Sequence, residues 1–437
     1  MNPPGNFIRS VLYQSIVLMG ALHAAEPVRP LMRDFIGLNG HTVQFKPELY
    51  QPVCRLVRDY HPVAWDLEKQ TATLPPFPSA KNKVDWNQVY GSWKSKGWIT
   101  DACLMFESVD HADWTDLDKD ARSYGAAFSK EFGPSGKSRV VSSVEIGNEP
   151  GSWSDADYSR MFRAMATGIR AGDPKMTIAS CNLTSGASGK YEKSVSCIAD
   201  MPELVDVLTI HSYAELTGWP SWKRSFPEDP ALPKYLKDIE NLCVWRDQHM
   251  PGKPVWITEF GYDSTTQPNE KTGDFAKWEG VTDEQQAQWI VRSLLVFSSM
   301  PVERAYLYFF NDEDKASVHA SAGLTRHFKP KPSFYAVRHL QQTLGDFRFR
   351  RIPTNDPGKL RIQEYESEGK TIWAVWSPTG DSRTSKMALD HIPGKLESSS
   401  RMPLTDAPAV SGEARQTASG SVELEVGGSP VYLTFEK

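Results

Sequence analysis

The 437-residue sequence predicts an α/β chain in which a (β/α)8 TIM barrel precedes a small C-terminal antiparallel β-sandwich domain. Three observations predict this fold. Eight short apolar runs recur between residues 34 and 310, helix-period segments lie between several of them, and strand-like alternation follows from near residue 346. The sequence therefore divides into a leader at 1–25, a barrel at 26–345 and the β-sandwich at 346–437.

The eight apolar runs are the predicted barrel strands, and they lie at 34–39, 61–67, 102–108, 140–148, 176–182, 205–213, 254–261 and 304–310. Eight strands separated by helix-capable sequence indicate a closed parallel barrel. An open doubly wound sheet is the competing architecture, but no GxGxxG or phosphate-binding loop follows any run. In a closed parallel barrel the carboxyl ends of the strands share one face, so polar residues at those ends converge.

Two helices are clear from their periodicity and their first residues. The segment 154–171 places its apolar residues on one face, and Ser154 can cap its start. A second helix starts at Thr282, where Thr282 and Gln285 have the capping-box spacing.

The region after residue 346 alternates at 360–365, 371–376, 422–426 and 430–435, which is typical of antiparallel strands. Trp373 and Trp376 lie on opposite faces of one predicted strand, so they cannot form one flat surface for a sugar. The alternation therefore favours a structural role for this domain over a separate sugar-binding role.

The composition excludes several classes of protein. The chain has 49 basic and 54 acidic residues, a net charge of −5 and a pI near 6.1, which predicts no nucleic-acid partner. Its ordinary apolar and charged content excludes global disorder, collagen and a multi-span membrane protein. The 14 Trp, 15 Tyr and 19 Phe supply the flat rings on which sugars stack.

Residues 1–25 have the pattern of a secretory signal peptide. Arg9 supplies positive charge, an apolar stretch spans 11–22, and the small residues Ala24 and Ala25 predict cleavage near residue 25. The apolar stretch is shorter than the ~20 residues that cross a bilayer, so we expect no stable membrane insertion. The predicted location is outside the cell or in a periplasm, and the oligomeric state stays open.

Five cysteines are spaced widely, without a CxxC or a Cys/His metal pattern. At most two disulfides are possible, and Cys181 and Cys197 form the nearest pair in sequence. Buried free thiols account for the cysteines equally well.

Two glutamates end apolar runs, Glu149 after the fourth run and Glu259 in the seventh. Each glutamate alone is typical of a rim ion pair or a helix start. Their joint occurrence at two strand ends of one barrel instead predicts a carboxylate pair at the mouth. Two such carboxylates can divide the chemistry, one as a proton donor and the other as an ionised nucleophile.

The motifs GNEP at 147–150 and ITEFG at 257–261 resemble the two signatures of clan A glycoside hydrolases. The resemblance covers about 34–340 and is similar to families 39, 79, 30 and 5, with family 39 the nearest. It implies that Glu149 is the acid/base, that Glu259 is the nucleophile and that Asn148 holds the sugar 2-hydroxyl. It further implies a retaining O-glycosyl hydrolase that acts on a carbohydrate and needs no cofactor or metal.

Further residues are candidate substrate contacts. In the clan, an aromatic residue or a histidine near the sixth strand end contacts the nucleophile or the sugar, and this implies a site role for His211 or Tyr213. Tyr213 is expected to hydrogen-bond to Glu259 and keep it ionised. On the first strand, Asn39 and His41 lie just past the apolar run, and ordinary loop polarity accounts for them equally well.

Two tryptophans complete the candidate contacts. Trp65 and Trp153 are expected to stack on a sugar or to form a subsite wall, although packing explains either residue as well. Several families of the clan also place an arginine on the second strand. The second run carries Val63 and Ala64 at that place.

Two alternatives remain from the sequence. One is a catalytically silent barrel that binds carbohydrate, and the other is a transglycosylase that uses the same two carboxylates. The sugar, the linkage and endo or exo action are not encoded in either motif.

Overall fold

A computed structural model describes residues 28–436, so the predicted signal peptide at 1–25 lies outside the described residues. Within them, the predicted closed barrel is confirmed. Its strands are β1 Ile36–Gly40, β2 Leu56–Pro62, β3 Ile99–Met105, β4 Ser143–Ile146, β5 Thr177–Thr184, β6 Val207–His211, β7 Val255–Phe260 and β8 Arg304–Leu307. Each strand pairs in parallel with its neighbours, and β8 closes onto β1.

Helices surround the barrel. They are α1 Met32–Phe35, α2 Pro47–Tyr50, α3 Val63–Leu67, α4 Trp86–Ser95, α5 Leu117–Phe132, α6 Asp155–Gly172, α7 Tyr235–His249, α8 Asp283–Ser298 and α9 Pro332–Leu344. Both predicted helix starts are confirmed. The Ser154 side chain accepts from the backbone of Asp157, and Thr282 and Gln285 form the reciprocal capping box.

The predicted second strand at 61–67 was placed too late in the chain. The strand is β2, and residues 63–67 form the short helix α3 instead. Arg58 and Asp59 are fully buried inside β2. Because buried charges interrupt an apolar run, the hydropathy pattern moved the predicted strand to the apolar residues that follow.

The barrel interior is apolar at the amino end of the strands and polar at the carboxyl end. The apolar end is filled by one cluster of side chains, Leu56, Ala179, Val207, Trp256 and Tyr306. Gly37 lies against the ring of Tyr306, where a Cβ atom would come within 2.4 Å of a ring carbon. Because side chains alternate along a strand, the inward position two residues after Leu56 belongs to Arg58. The apolar cluster at the amino end therefore lies beneath a polar layer that includes Arg58.

The C-terminal β-sandwich is also confirmed. Its strands are β9 Arg348–Asp356, β10 Leu360–Ser367, β11 Lys370–Trp376, β12 Ser385–Leu389, β13 Lys395–Arg401, β14 Ala414–Gln416, β15 Val422–Val426 and β16 Val431–Glu436. They form a five-stranded sheet in the order β9-β10-β11-β16-β13 and a three-stranded sheet in the order β12-β15-β14. Trp373 and Trp376 are both buried, which agrees with the structural role predicted for this region.

Two further findings bear on the sequence predictions. All five cysteines are buried free thiols, so the expected alternative of disulfide bonds does not occur. Among residues 28–436, no helix has both the length and the apolar character needed to cross a membrane.

A buried ion pair joins the barrel to the C-terminal domain. Arg292 of α8 is fully buried and pairs with Glu228 of the loop after β6. Arg292 also donates to the carbonyl oxygen of Thr379 at 2.8 Å, and the indole N–H of Trp376 donates to Glu228 at 2.7 Å. The two domains therefore share one desolvated charge pair.

We expect Arg292→Met to lower the free energy of unfolding by about 3–5 kcal/mol, because Glu228 would remain buried without its counter-charge. Urea denaturation measures the loss. Adding Glu228→Gln should recover part of it, since the double variant has no unpaired buried charge. Arg383→Met, which removes an exposed arginine, should change stability by no more than about 0.5 kcal/mol. A loss below about 1 kcal/mol for Arg292→Met would contradict this account.

Candidate active site

Two glutamates meet at the mouth of the barrel. One carboxylate oxygen of Glu149, one of Glu259 and Nδ1 of His211 all lie within 4.8 Å of one another. The Glu149 side chain is 30% exposed, whereas that of Glu259 is 7% exposed. The structure thus brings together the two carboxylates that the motifs single out, and it places them in unequal settings.

Local backbone features aim both glutamates at the mouth. Gly147 directly follows β4 with φ +85°, and a Cβ atom there would lie 2.6 Å from the ring of Phe106. In β7, strict alternation from the inward Trp256 would turn Glu259 away from the interior. The strand register shifts between Ile257 and Phe260, and this irregularity re-aims Glu259.

A third glutamate holds the backbone that carries Glu149. Oε1 of Glu107 accepts the backbone N–H groups of Asn148 at 2.7 Å and Glu149 at 3.2 Å. Burial raises the pKa of Glu107 to about 7 although these hydrogen bonds oppose the shift. Glu107 therefore fixes the position of both residues that follow Gly147.

Arg58 lies beneath the two glutamates and is fully buried. Its Nε and Nη2 atoms donate to Glu145 at 2.6 and 3.0 Å, and Nη1 donates to Glu259 at 3.2 Å. It also donates to the side-chain oxygens of Asn39 at 3.0 Å and Asn148 at 2.8 Å. The second strand therefore does carry an arginine at the site, and this arginine lies five residues before Val63.

Glu259 is held in its ionised form. Tyr60 donates to Oε1 at 2.6 Å and Tyr213 donates to Oε2 at 2.8 Å. Burial by itself would raise the pKa of Glu259, but the charges on His211 and Arg58 and the two hydroxyl donors outweigh it and keep the pKa below its ordinary value. A carboxylate in this state is a competent nucleophile.

His211 bridges the two glutamates. Its Nδ1 lies 3.0 Å from Glu149 and 3.6 Å from Glu259, while its backbone N–H donates to Asn182 at 2.8 Å. Burial lowers the pKa of His211, but the charge on Glu259 and the hydrogen bond and charge of Glu149 outweigh burial and raise it. The raised pKa favours the protonated ring, in which Nδ1 donates to Glu149.

The remaining candidate residues are placed as follows. Asn39 is fully buried in β1, where its amide donates to the Thr258 carbonyl at 2.9 Å. The His41 ring lies 6.4 Å from the Tyr60 ring. Asn148 is half-buried beside Glu149. Asn39 therefore reaches Arg58 and the end of β7 rather than open space.

The two candidate tryptophans lie in packed surroundings. Trp153 is 5% exposed and packs edge-on against Phe106, with ring centroids 4.9 Å apart. Trp65 is half-buried and stacks on Trp86 at 6.0 Å. Contacts with protein account for most of the surface of Trp153.

The trio of Glu149, His211 and Glu259 is the one group of possible metal ligands this close together within the described part of the chain. Its surroundings do not suit a cation. Arg58 already pairs with Glu259, both Glu259 oxygens accept tyrosine hydroxyls, and Nε2 of His211 is buried without a partner among residues 28–436. Metal-bound histidines ordinarily donate that second N–H. The trio fits proton sharing better than metal binding.

Sequence reasoning did not select four of the residues described above, Arg58, Tyr60, Glu107 and Glu145. A signal for two of them was present, because Glu107 and Glu145 are charged residues inside predicted apolar strands. The same argument that selected Glu149 applies to both. Arg58 and Tyr60 fell outside the predicted second strand.

The chain is similar in fold to solved glycoside hydrolases. A family 39 glycoside hydrolase from the gut symbiont Bacteroides cellulosilyticus WH2 matches with a TM-score of 0.68 and 16% identity, over 94% of this chain and 83% of that one. A glucosidase from Croceicoccus marinus gives 0.64 and 13%, over 94% and 97%. A family 30 endoxylanase from Clostridium papyrosolvens C71 gives 0.56 and 12%, over 94% and 98%.

These likenesses confirm the resemblance to clan A glycoside hydrolases at the level of the fold. No protein-family model matches the sequence, and no curated protein does. With identities of 12–16%, the likenesses extend to the fold alone.

We expect Tyr60→Phe to raise the pKa of Glu259 by about one unit, because a hydrogen bond to a charged acceptor contributes about 1.5 kcal/mol and favours the ionised form. Carbon-13 NMR titration of glutamate-labelled protein measures the shift, with Glu259→Gln used to assign the signal. The pKa of Glu259 should rise rather than fall, because the lost hydroxyl donor stabilised the deprotonated form.

Tyr308→Phe is the matched control. The Tyr308 ring lies 6.3 Å from that of Tyr60, and within residues 28–436 its hydroxyl forms no hydrogen bond to Glu259. The Glu259 titration should not move in this variant. An unchanged titration in Tyr60→Phe would show that its hydroxyl does not help to ionise Glu259.

Proposed function

We propose that this protein is a retaining glycoside hydrolase in which Glu259 is the nucleophile and Glu149 the acid/base. One observation carries the proposal: carboxylate oxygens of the two residues lie within 4.8 Å at the barrel mouth. Retaining enzymes hold their carboxyl groups about 5–5.5 Å apart, whereas inverting enzymes need about 6.5–9.5 Å to admit a water. The separation supports double displacement.

In the first displacement, a Glu259 oxygen attacks the anomeric carbon of the sugar. The new C–O bond forms as the glycosidic C–O bond breaks, and Glu149 transfers its proton to the departing oxygen. Tyr60, Tyr213 and Arg58 favour the ionised Glu259 that this attack requires. The product of the step is a glycosyl ester on Glu259 and a free leaving group.

In the second displacement, water attacks the same carbon from the face that the leaving group vacated. Glu149 accepts a proton from the water, the ester bond to Glu259 breaks, and the sugar leaves with its original anomeric configuration. Both glutamates return to their starting protonation states. The half-exposed setting of Glu149 suits a group that must exchange protons with substrate and water.

The substrate is proposed to be an oligosaccharide or a polysaccharide. The fold likenesses include proteins described as a glucosidase and an endoxylanase, so fold alone does not select a sugar. We also propose export from the cytoplasm, which rests on the sequence pattern at 1–25. A digest of a broad glycan panel with product analysis identifies the substrate.

We expect Glu259→Ala to lower kcat by several orders of magnitude on the best substrate, because no other group can form the glycosyl ester. Azide should then restore turnover by a single displacement and give a glycosyl azide of inverted configuration, identified by NMR. Glu149→Ala should lose about 10²–10⁴-fold on substrates with poor leaving groups and less on dinitrophenyl glycosides, because only poor leaving groups need the proton.

Glu203→Ala is the control, since Glu203 is an exposed glutamate in the turn before β6, at the opposite end of the barrel. Its kcat should equal that of the wild type. Wild-type activity in Glu259→Ala would rule out the assigned nucleophile. Tight sugar binding without any product across the panel would favour a silent carbohydrate-binding barrel, and sugar-to-sugar transfer products would favour a transglycosylase.

A further inference from the structure

A histidine from the loop after β8 packs against a tyrosine that hydrogen-bonds to Glu259. The His319 ring packs edge-on against Tyr213, with centroids 4.7 Å apart, and against Tyr308 at 5.4 Å. Tyr213 is the residue that donates to Glu259. His319 is therefore separated from the nucleophile by a single aromatic ring, and it comes from a different loop than the other site residues.

The His319 imidazole makes no hydrogen bond to the described part of the chain. Its Nδ1 atom is buried without a partner. The residue as a whole is half-buried, and Nε2 is not among the enclosed polar atoms without a partner. Because Nδ1 is closed off from solvent, Nε2 is the ring nitrogen that a ligand can reach.

The loop that carries His319 is held in place rather than loosely packed. His319 has φ +65°, in the sparsely populated left-handed region. Buried carboxylates anchor the loop on both sides. Asp314 accepts from Thr265, Thr266 and Gln267, and Asp312 accepts from Gly323 and Lys331. An anchored loop keeps the ring at a fixed position relative to Glu259.

The imidazole is neutral. Burial and the charge on Arg224 lower its pKa, and the carboxylates of Asp263, Glu259 and Glu149 do not offset this. A neutral imidazole offers one donor and one acceptor, and Nε2 takes either role according to its tautomer. A hydroxyl group both donates and accepts, so it matches this nitrogen better than a charged ligand does.

We propose that His319 selects the sugar, by a hydrogen bond between its Nε2 atom and one ring hydroxyl of the sugar residue that Glu259 attacks. This inference rests on the proposed glycosidase function. Glu149 gives its proton to the departing oxygen, so the leaving group extends past Glu149. The attacked sugar would lie over Glu259 and its tyrosines, and the His319 ring packs against one of them, Tyr213.

The test is a double-mutant cycle in which one change is made in the enzyme and the other in the substrate. It compares the wild type with His319→Phe, which keeps a ring but removes both nitrogens, on the best 4-nitrophenyl glycoside and its monodeoxy analogues. We expect His319→Phe to lower kcat/KM about 10–100-fold on the parent, as loss of one hydrogen bond implies. On one monodeoxy analogue the two enzymes should agree within about twofold, because the shared contact is already absent.

Two further variants separate recognition from packing. His319→Asn keeps a donor and an acceptor and tolerates the left-handed backbone, so it should recover part of the loss. His327→Phe replaces an exposed histidine at φ +49° in the turn that follows, and it should behave as the wild type. The same loss on every deoxy analogue, or no loss at all, would overturn the proposal.

Failure of the glycosidase function is recognised separately, because the wild type would then cleave no glycoside in the panel. In that case the same cycle is carried out on binding affinity. Calorimetry measures the binding of iminosugars of gluco, galacto and xylo configuration and of their deoxy analogues to the wild type and to His319→Phe. A binding loss confined to one hydroxyl supports the role of His319. Equal binding by the wild type and His319→Phe, or no binding by either, overturns it.

Discussion

The buried guanidinium of Arg58 organises the mouth of this barrel. A fully buried cation is costly unless every donor finds an acceptor and a counter-charge lies close by. Arg58 obtains these from four other strands or strand ends: Asn39 from β1, Cys103 from β3, Glu145 and Asn148 from the end of β4, and Glu259 from β7. The hydrogen bonds that compensate for its burial therefore also fix the relative positions of the residues proposed to do the chemistry.

The same cation leaves its two carboxylate partners in different states. Burial raises the pKa of Glu145 to about 7 although Arg58 opposes the shift, whereas the pKa of Glu259 is lowered. The difference lies in the additional partners. Glu145 receives hydrogen bonds only from Arg58 among the described residues, while Glu259 also faces His211 and two tyrosine hydroxyls. Arg58 alone does not hold the pKa of a buried glutamate below its ordinary value, and the donors around Glu259 account for the difference.

The barrel was predictable because strands with helices on one face and a filled interior on the other appear as short apolar runs. Glu149 and Glu259 were predictable because a carboxylate at the end of such a run needs a polar cavity. Arg58 was not, since its burial depends on Glu145 and Glu259, which lie 87 and 201 residues away along the chain. A hydropathy pattern treats a charged residue as exposed, even when distant partners bury it in the fold. The predicted second strand therefore did not coincide with the residues that form the strand. The loop that carries His319 is likewise held by non-local partners, up to 49 residues apart in the sequence, and leaves no local pattern.

His211 couples the charge of the nucleophile to the hydrogen bonding of the acid/base. Burial lowers its pKa, and the charge on Glu259 is the largest effect in the opposite direction, ahead of Glu149. In the proposed mechanism, Glu259 becomes a neutral ester in the first displacement, while Glu149 becomes a carboxylate because it gives its proton to the departing oxygen. The negative charge next to His211 therefore moves from Glu259, 3.6 Å from Nδ1, to Glu149, 3.0 Å from Nδ1. A negative charge on either glutamate favours the protonated ring. His211 thus faces one carboxylate both before and after the first displacement.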